Sequence, residues 1–398
     1  MKRLKDILKI VIFASILLCS NKIEASELDS VEISLLTCAP GQEVYTAFGH
    51  TAIRVNDMRE GGRDLAFNYG MFSFKKKFFV LRFIFGLTDY ELGCYPTGLF
   101  FEDYAKHGRQ VIEQVLNLTD EEKTALVNAL WDNYKEENRT YRYNYFYDNC
   151  TSRARDIIEK NVQGRIDYHF DEERKTSYRE MVHQYNVKSE WERFGEDLLL
   201  GVKADFKTDN RQQQFLPINL ENDFSRATIT GNDGTIRPLV AKANQVVPSG
   251  VSVLSKGFVF SPMECAIILL LCTLIITFAD WKKKKASYWY DALLMLATGI
   301  AGIIITAMIF SQHPTVSFNL LIVILNPLPL FFIPMTIIRG RRKQYNPFFK
   351  WAFWGVLVFT AILTFIQKIP PAMIIVALCL LIRCMTEMLI VKKAQREK

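Results

Sequence analysis

The chain has 398 residues, 49% of them hydrophobic, and a formal net charge of +7. That charge is unevenly spread: residues 1–25 carry +3, residues 26–257 carry −6 and residues 258–398 carry +10. The middle section is mildly acidic and the basic excess lies in short runs beside apolar segments. This excludes a nucleic-acid footprint and points to a soluble domain joined to a membrane part.

Lys2, Arg3, Lys5 and Lys9 precede the apolar run Ile10–Leu18, and Ile23-Glu-Ala25 fits a signal-peptidase site. Residues 1–25 are therefore predicted to be a cleaved secretory signal, with an uncleaved anchor as the alternative. Cys19 follows Leu18 rather than the small residue that a lipoprotein signal places there. Beyond it, Val31–Thr37 reads as a strand and Ala39–Glu43 as a turn. Thr51–Val55 reads as a second strand with His50 at its start, and Leu65–Tyr69 as the strand returning from a two-glycine turn. Arg109–Leu118 alternates again. Thr119-Asp-Glu-Glu122 has the cap and first-turn acids of a helix running to about Asn138. Asn149 is placed to cap a helix over Thr151–Lys160, which puts Cys150 at its N-terminus. Ser189–Leu200 reads as a further helix. Residues 205–257 are polar with few periodic runs and are predicted to be a loop-rich connector, which bounds the soluble domain at 26–204.

Five apolar segments follow, at roughly 258–279, 289–310, 318–338, 348–366 and 372–391. Each is near the length of about 20 residues that spans a bilayer. Basic runs at Lys282–Lys285, at Arg339–Lys343 and in the tail 392–398 mark the cytoplasmic side. The nearly uncharged connections around Gln312-His313-Pro314 and Gln367–Pro371 then lie outside with the soluble domain. The expected location is a bacterial cytoplasmic (inner) membrane with the soluble domain in the periplasm. The third segment is interrupted by Asn326-Pro-Leu-Pro329 and Pro334, and His313-Pro precedes it. Polar residues and prolines at membrane depth are costly and often face a cavity.

His50 at a strand start and Cys150 at a helix N-terminus are the two halves of a cysteine-nucleophile site. The imidazole takes the thiol proton, and the positive end of the helix dipole favours the thiolate and an oxyanion. A third group should orient the imidazole. Asn68 on the following strand is the leading candidate, with Tyr45 and Asn149 behind it. Three cysteines, Cys38, Cys94 and Cys150, fall in the mature soluble part, so disulfides leave at least one thiol unpaired. His107, His169 and His183 read as surface residues. No zinc spacing, phosphate-cradling loop or Gly-x-Ser-x-Gly elbow occurs, so neither metal nor cofactor is expected. The Phe74–Leu87 segment, aromatic with four cations and no acids, reads either as a core strand or as a segment lying on anionic headgroups.

The order His first and Cys later resembles the circularly permuted papain-like enzymes of the NlpC-like superfamily, which include lecithin:retinol acyltransferase. Thr37-Cys-Ala-Pro-Gly41, Phe48-Gly-His50, Asp148-Asn-Cys-Thr-Ser-Arg153 and Asp197-Leu-Leu-Leu-Gly-Val-Lys-Ala-Asp205, followed by membrane helices, resemble more narrowly the Lnb family of bacterial lipoprotein N-acyltransferases. The resemblance implies an α+β, permuted papain-like domain fused to five transmembrane helices. It also implies Cys150 as acyl-accepting nucleophile and His50 as base, a phospholipid donor, and a diacylglyceryl-cysteine lipoprotein as acceptor. Candidate substrate-handling positions are Tyr45, Asn149, Ser152 and Arg153 near the two motifs, and His313, Asn319 and Asn326 at the third membrane segment. A tethered cell-wall amidase or endopeptidase, a phospholipid hydrolase and a non-catalytic assembly factor are the competing readings.

Overall fold

The computed structural model of the protein describes residues 30–43, 46–72, 77–170, 174–186, 189–250 and 259–396. The signal segment 1–25, Tyr45 and the end of the basic tail lie outside the described residues.

Three strands open the fold: β1 (Val31–Cys38), β2 (His50–Asp57) and β3 (Asp64–Met71). Then come helix α1 (Phe79–Ile84), β4 (Asp89–Pro96), α2 (Thr97–Lys106), β5 (Val111–Leu116), α3 (Asp120–Tyr134), β6 (Thr140–Arg142) and α4 (Cys150–Lys160). Next are β7 (Arg165–Asp167), α5 (Tyr178–Tyr185), α6 (Glu190–Leu199), α7 (Asn210–Gln213), α8 (Pro217–Arg226), β8 (Thr228–Thr230), β9 (Ile236–Pro238) and β10 (Val240–Val247). Seven strands form one sheet in the order β10-β5-β1-β2-β3-β4-β6, and β7-β8-β9 form a second. Every pairing is antiparallel.

The large sheet is covered on both faces. Ile33, Leu35, Ile53 and Phe67 pack with Leu126 and Leu130 of α3 and Ala154 and Ile158 of α4. Alternate residues Leu36, Ala52 and Ala66 pack with Phe100 and Tyr104 of α2 on the other face. The α3 cap forms as its sequence requires: the Thr119 hydroxyl accepts from the Glu122 N–H, and the Glu122 carboxylate accepts from the Thr119 N–H. The helix ends at Tyr134, four residues short of the expected end.

The expected loop-rich connector is largely structured. Residues 205–250 contain α7, α8 and β8–β10, and β10 pairs with β5 as the edge of the large sheet. That strand is Val-Ala-Lys-Ala-Asn-Gln-Val-Val and most of it is exposed, so it has no buried face for hydrophobic alternation to reveal.

Among the described residues, five helices are long and apolar enough to cross a membrane: Pro262–Lys283, Tyr288–Ile309, Leu320–Arg341, Phe348–Phe365 and Pro371–Ile390. Their helical parts are α9 (Pro262–Lys283), α10 (Tyr288–Ile309), α11 (Leu328–Arg341), α12 (Phe348–Ala361) and α13 (Pro371–Arg396). The third span is broken where its sequence is: a 3-10 turn over Leu320–Val323 precedes Asn326-Pro327, and α11 starts only at Leu328.

The outer loops clamp the soluble domain onto these helices. The Gly201 and Val202 amides donate to Thr315 and Phe318 carbonyls at 2.8 and 2.9 Å, and the Gln312 amide donates to the Phe85 carbonyl at 3.0 Å. A side chain on Gly201 would sit 2.2 Å from the Phe318 oxygen, so this close approach needs glycine. Buried Arg179 is the anchor. It donates to Asp197 at 2.8 Å, to Asp205 at 2.7 Å and to the Leu200 carbonyl at 2.8 Å. Asp205 in turn accepts from the Lys368 amide at 3.0 Å in the other outer loop. The two ends of the Asp197–Asp205 motif therefore meet on one guanidinium. Arg179→Met is expected to lower stability by about 3–5 kcal/mol, because two carboxylates lose the cation they were buried against. Thermal unfolding in detergent measures this, and an unchanged midpoint would refute the anchor role.

Candidate active site

The Asn149 side chain accepts from the Thr151 and Ser152 amides at 3.0 and 2.9 Å, and the Ser152 hydroxyl accepts from the Asn149 amide at 2.9 Å. This reciprocal cap starts α4 at Cys150 and holds the thiol at the helix N-terminus. Asn149 also donates to the Tyr145 and Phe215 carbonyls at 3.0 and 2.9 Å. Asn149 and Ser152 are thus fully engaged in the cap rather than turned toward a ligand. The cap also occupies two of the first-turn amides, which weakens the expectation that backbone N–H groups there hold an oxyanion.

His50 begins β2, and the next residue joins the two motifs: the Thr51 and Thr151 hydroxyls share a buried hydrogen bond of 3.0 Å. The missing side chain of Gly70 leaves room between them. A carbon placed there would lie 3.7 Å from Cys150 Cβ, 3.9 Å from His50 Cε1 and 3.9 Å from Tyr141 Oη, and the φ of +92° itself favours glycine. Cys150 and His50 therefore lie side by side at the Gly70 Cα.

Asn68 of β3 completes the array. Its Oδ1 is hydrogen-bonded to His50 Nε2, while its Nδ2 donates to the Tyr95 hydroxyl at 2.8 Å. Tyr95 was not legible in the sequence. Asn68 Nδ2 also donates to the Met71 sulfur at 3.3 Å, and because a thioether can only accept, the amide nitrogen lies on that side and Oδ1 faces the imidazole, so Nε2 carries the proton and Nδ1 is left for the thiol.

Burial pushes the Cys150 thiol up, but the His50 charge and hydrogen bond, with the Thr51 amide and Thr151 hydroxyl, outweigh it and bring the pKa down to about 7. Burial pulls the His50 imidazolium down, and the Cys150 charge with hydrogen bonds to Cys150 and Asn68 lifts it above its ordinary value. The two shifts describe a thiolate–imidazolium pair. Cys38 and Cys94 behave oppositely. Neither is in a disulfide, burial pushes Cys38 up to about 12, and burial raises Cys94 as well.

Other candidates are separated by the fold. Arg153 makes a bidentate pair with Asp148 at 2.6 and 2.7 Å and lies over the Tyr141 ring at 3.6 Å. Asn319 caps the Leu320–Val323 turn, donates to the Leu198 carbonyl at 2.8 Å and accepts from Gln367 at 3.0 Å, so its amide is an interface strut. Asn326 donates to the Val323 carbonyl at 3.2 Å and accepts from the Leu328 amide at 3.1 Å, which starts α11. His313 lies beside Gly86, with its ring 6.4 Å from Phe83. His183, expected on the surface, is hydrogen-bonded to Asp197 at 2.8 Å in the Arg179 network. His107 is exposed, and His169 meets the Thr228 hydroxyl at 2.7 Å. No group of three or more His, Cys, Asp or Glu among the described residues could hold a metal.

An aromatic cluster links the site to the membrane helices. Phe48, two residues before His50, packs on Tyr145 at 5.1 Å and Tyr185 at 5.4 Å. These rings join a cluster with Phe146, Phe215, Met308 at the outer end of α10, Val316 and Ile84 of α1. The Phe74–Leu87 segment, of which residues 74–76 lie outside the described residues, carries this short α1 rather than a core strand. Phe78, Leu81 and Phe83 are exposed on it beside Lys77 and Arg82.

Two family models match the chain: the Lnb N-terminal periplasmic domain over residues 20–184 and the Lnb transmembrane domain over residues 254–395. No curated protein and no solved structure matches it.

Proposed function

The chain has the Lnb-type architecture, a periplasmic domain followed by a five-helix transmembrane domain, and from that premise we propose that it is a lipoprotein N-acyltransferase working through a Cys150 thioester. The observation that carries this reading is a Cys150–His50–Asn68 array adjoining a cluster that continues into the outer end of a membrane helix. His50 holds the thiol proton. The Cys150 thiolate attacks an ester carbonyl of a membrane phospholipid, the ester C–O bond breaks, and the leaving lysophospholipid oxygen takes the proton from His50. The free α-amine of a diacylglyceryl-cysteine N-terminus then attacks the thioester, gives a proton to His50 and regenerates the thiol. The exposed Phe78, Leu81 and Phe83, with Lys77 beside them, suit contact with anionic headgroups and hold the site at the bilayer surface. The domain is in the periplasm, and the membrane is the bacterial cytoplasmic one.

The test supplies purified protein with phosphatidylglycerol and a diacylglyceryl-cysteine peptide bearing a free α-amine. The peptide is expected to gain one fatty-acyl mass in an amide linkage that resists hydroxylamine. Release of free fatty acid with the peptide unchanged would overturn the transferase reading in favour of a hydrolase.

A further inference from the structure

Resting on the acyl-transfer reading above, we infer that the Tyr141 hydroxyl is the oxyanion donor of this site. Tyr141 sits on β6, only 7% exposed, and its hydroxyl has no hydrogen-bond partner among the described residues. A buried hydroxyl left unpaired forfeits its bond to water, so such a group calls for a reason. Its position supplies one. The hydroxyl oxygen lies 3.9 Å from the position a Cβ on Gly70 would take, which is also 3.7 Å from Cys150 Cβ and 3.9 Å from His50 Cε1. The hydroxyl, the cysteine and the imidazole therefore converge on the bare Gly70 Cα, which sets a hydroxyl donor beside the nucleophile and its base as an acyl-transfer centre needs.

Two of the backbone donors at the start of α4 are already in use. The Asn149 cap has already taken the Thr151 and Ser152 amides, so the first turn cannot supply them to a substrate oxygen. The Tyr141 ring is held in place by the Arg153 guanidinium 3.6 Å above it, itself fixed by Asp148. A cation over the ring withdraws electron density and makes the hydroxyl a better donor. Burial keeps the phenol protonated, well above its ordinary value.

When the Cys150 sulfur bonds to the ester carbon, the carbonyl π pair moves onto oxygen, and the Tyr141 O–H donates a hydrogen bond to that oxyanion. The pair returns to re-form C=O as the C–O bond to the lysophospholipid breaks. Tyr141 keeps its proton throughout.

The decisive variant is Tyr141→Phe, in the full-length protein in detergent. The hydroxyl has no folded-state partner, so thermal stability is expected to hold or rise. Acylation of Cys150 by phosphatidylglycerol, followed by intact mass, is expected to slow about 100- to 1000-fold, in kcat rather than KM. Alkylation of Cys150 by iodoacetamide is a displacement at carbon that builds no oxyanion, so its rate and pH profile should match wild type. Acylation at the wild-type rate would overturn the inference, and so would equal slowing of acylation and alkylation, which would make Tyr141 a positioning residue. Failure of the wild-type protein itself to become acylated would instead overturn the acyl-transfer reading.

Discussion

Cys150→Ala is expected to abolish acyl transfer, with a loss on the order of 10⁵–10⁶-fold, because no other group can form the thioester and members of a catalytic unit fail together. The surroundings argue against rescue by another thiol. Cys38 lies opposite His50 in the β1–β2 register, but burial holds its proton up to about 12, and Cys94 is raised as well. The variant should fold, since Cys150 is only partly buried and the Asn149–Ser152 cap does not use its side chain. Lipopeptide acylation beside an unfolding curve measures both expectations. Residual transfer within tenfold of wild type would remove Cys150 from the chemistry.

His50→Ala is expected to cost about 10⁴-fold in transfer, the upper range for a lost general acid–base, and to move the thiol's titration. With His50 present, the thiolate forms as pH rises through about 7, and the raised imidazolium pKa keeps the ion pair in being above that. Without it, burial acts with less opposition and the midpoint moves upward, past the ordinary thiol value of about 8.5. Iodoacetamide alkylation of wild type should therefore rise through about pH 7, while the variant should react slowly at pH 7 and faster only in alkaline solution. Matching profiles would mean that His50 does not act on the thiol.

The residues that could be read from the sequence are those governed by local rules. Asn149 caps α4 and Ser152 closes the capping box, so Cys150 falls at a helix start; His50 falls at a strand start, and Asn68 lies on the strand that returns beside it. Tyr95 and Tyr141 had no such signal. They reach the site only because β4 pairs with β3 on one side and β6 on the other, a long-range register that spacing along the chain does not encode. The membrane spans were legible from apolar length. β10 was not, because an exposed edge strand lacks an apolar face. Asn319 illustrates the opposite error: a polar residue beside a membrane span suggested substrate handling, yet its amide joins Leu198 and Gln367 across the domain junction.

The central assignment is the covalent one, and intact-protein mass spectrometry after incubation with phosphatidylglycerol tests it most directly. A single fatty-acyl increment that maps to Cys150, is lost with hydroxylamine and is discharged by a diacylglyceryl-cysteine peptide is the expected result. Unmodified protein from a preparation that converts the peptide to its N-acyl form would contradict it, since acyl transfer would then proceed without the thioester.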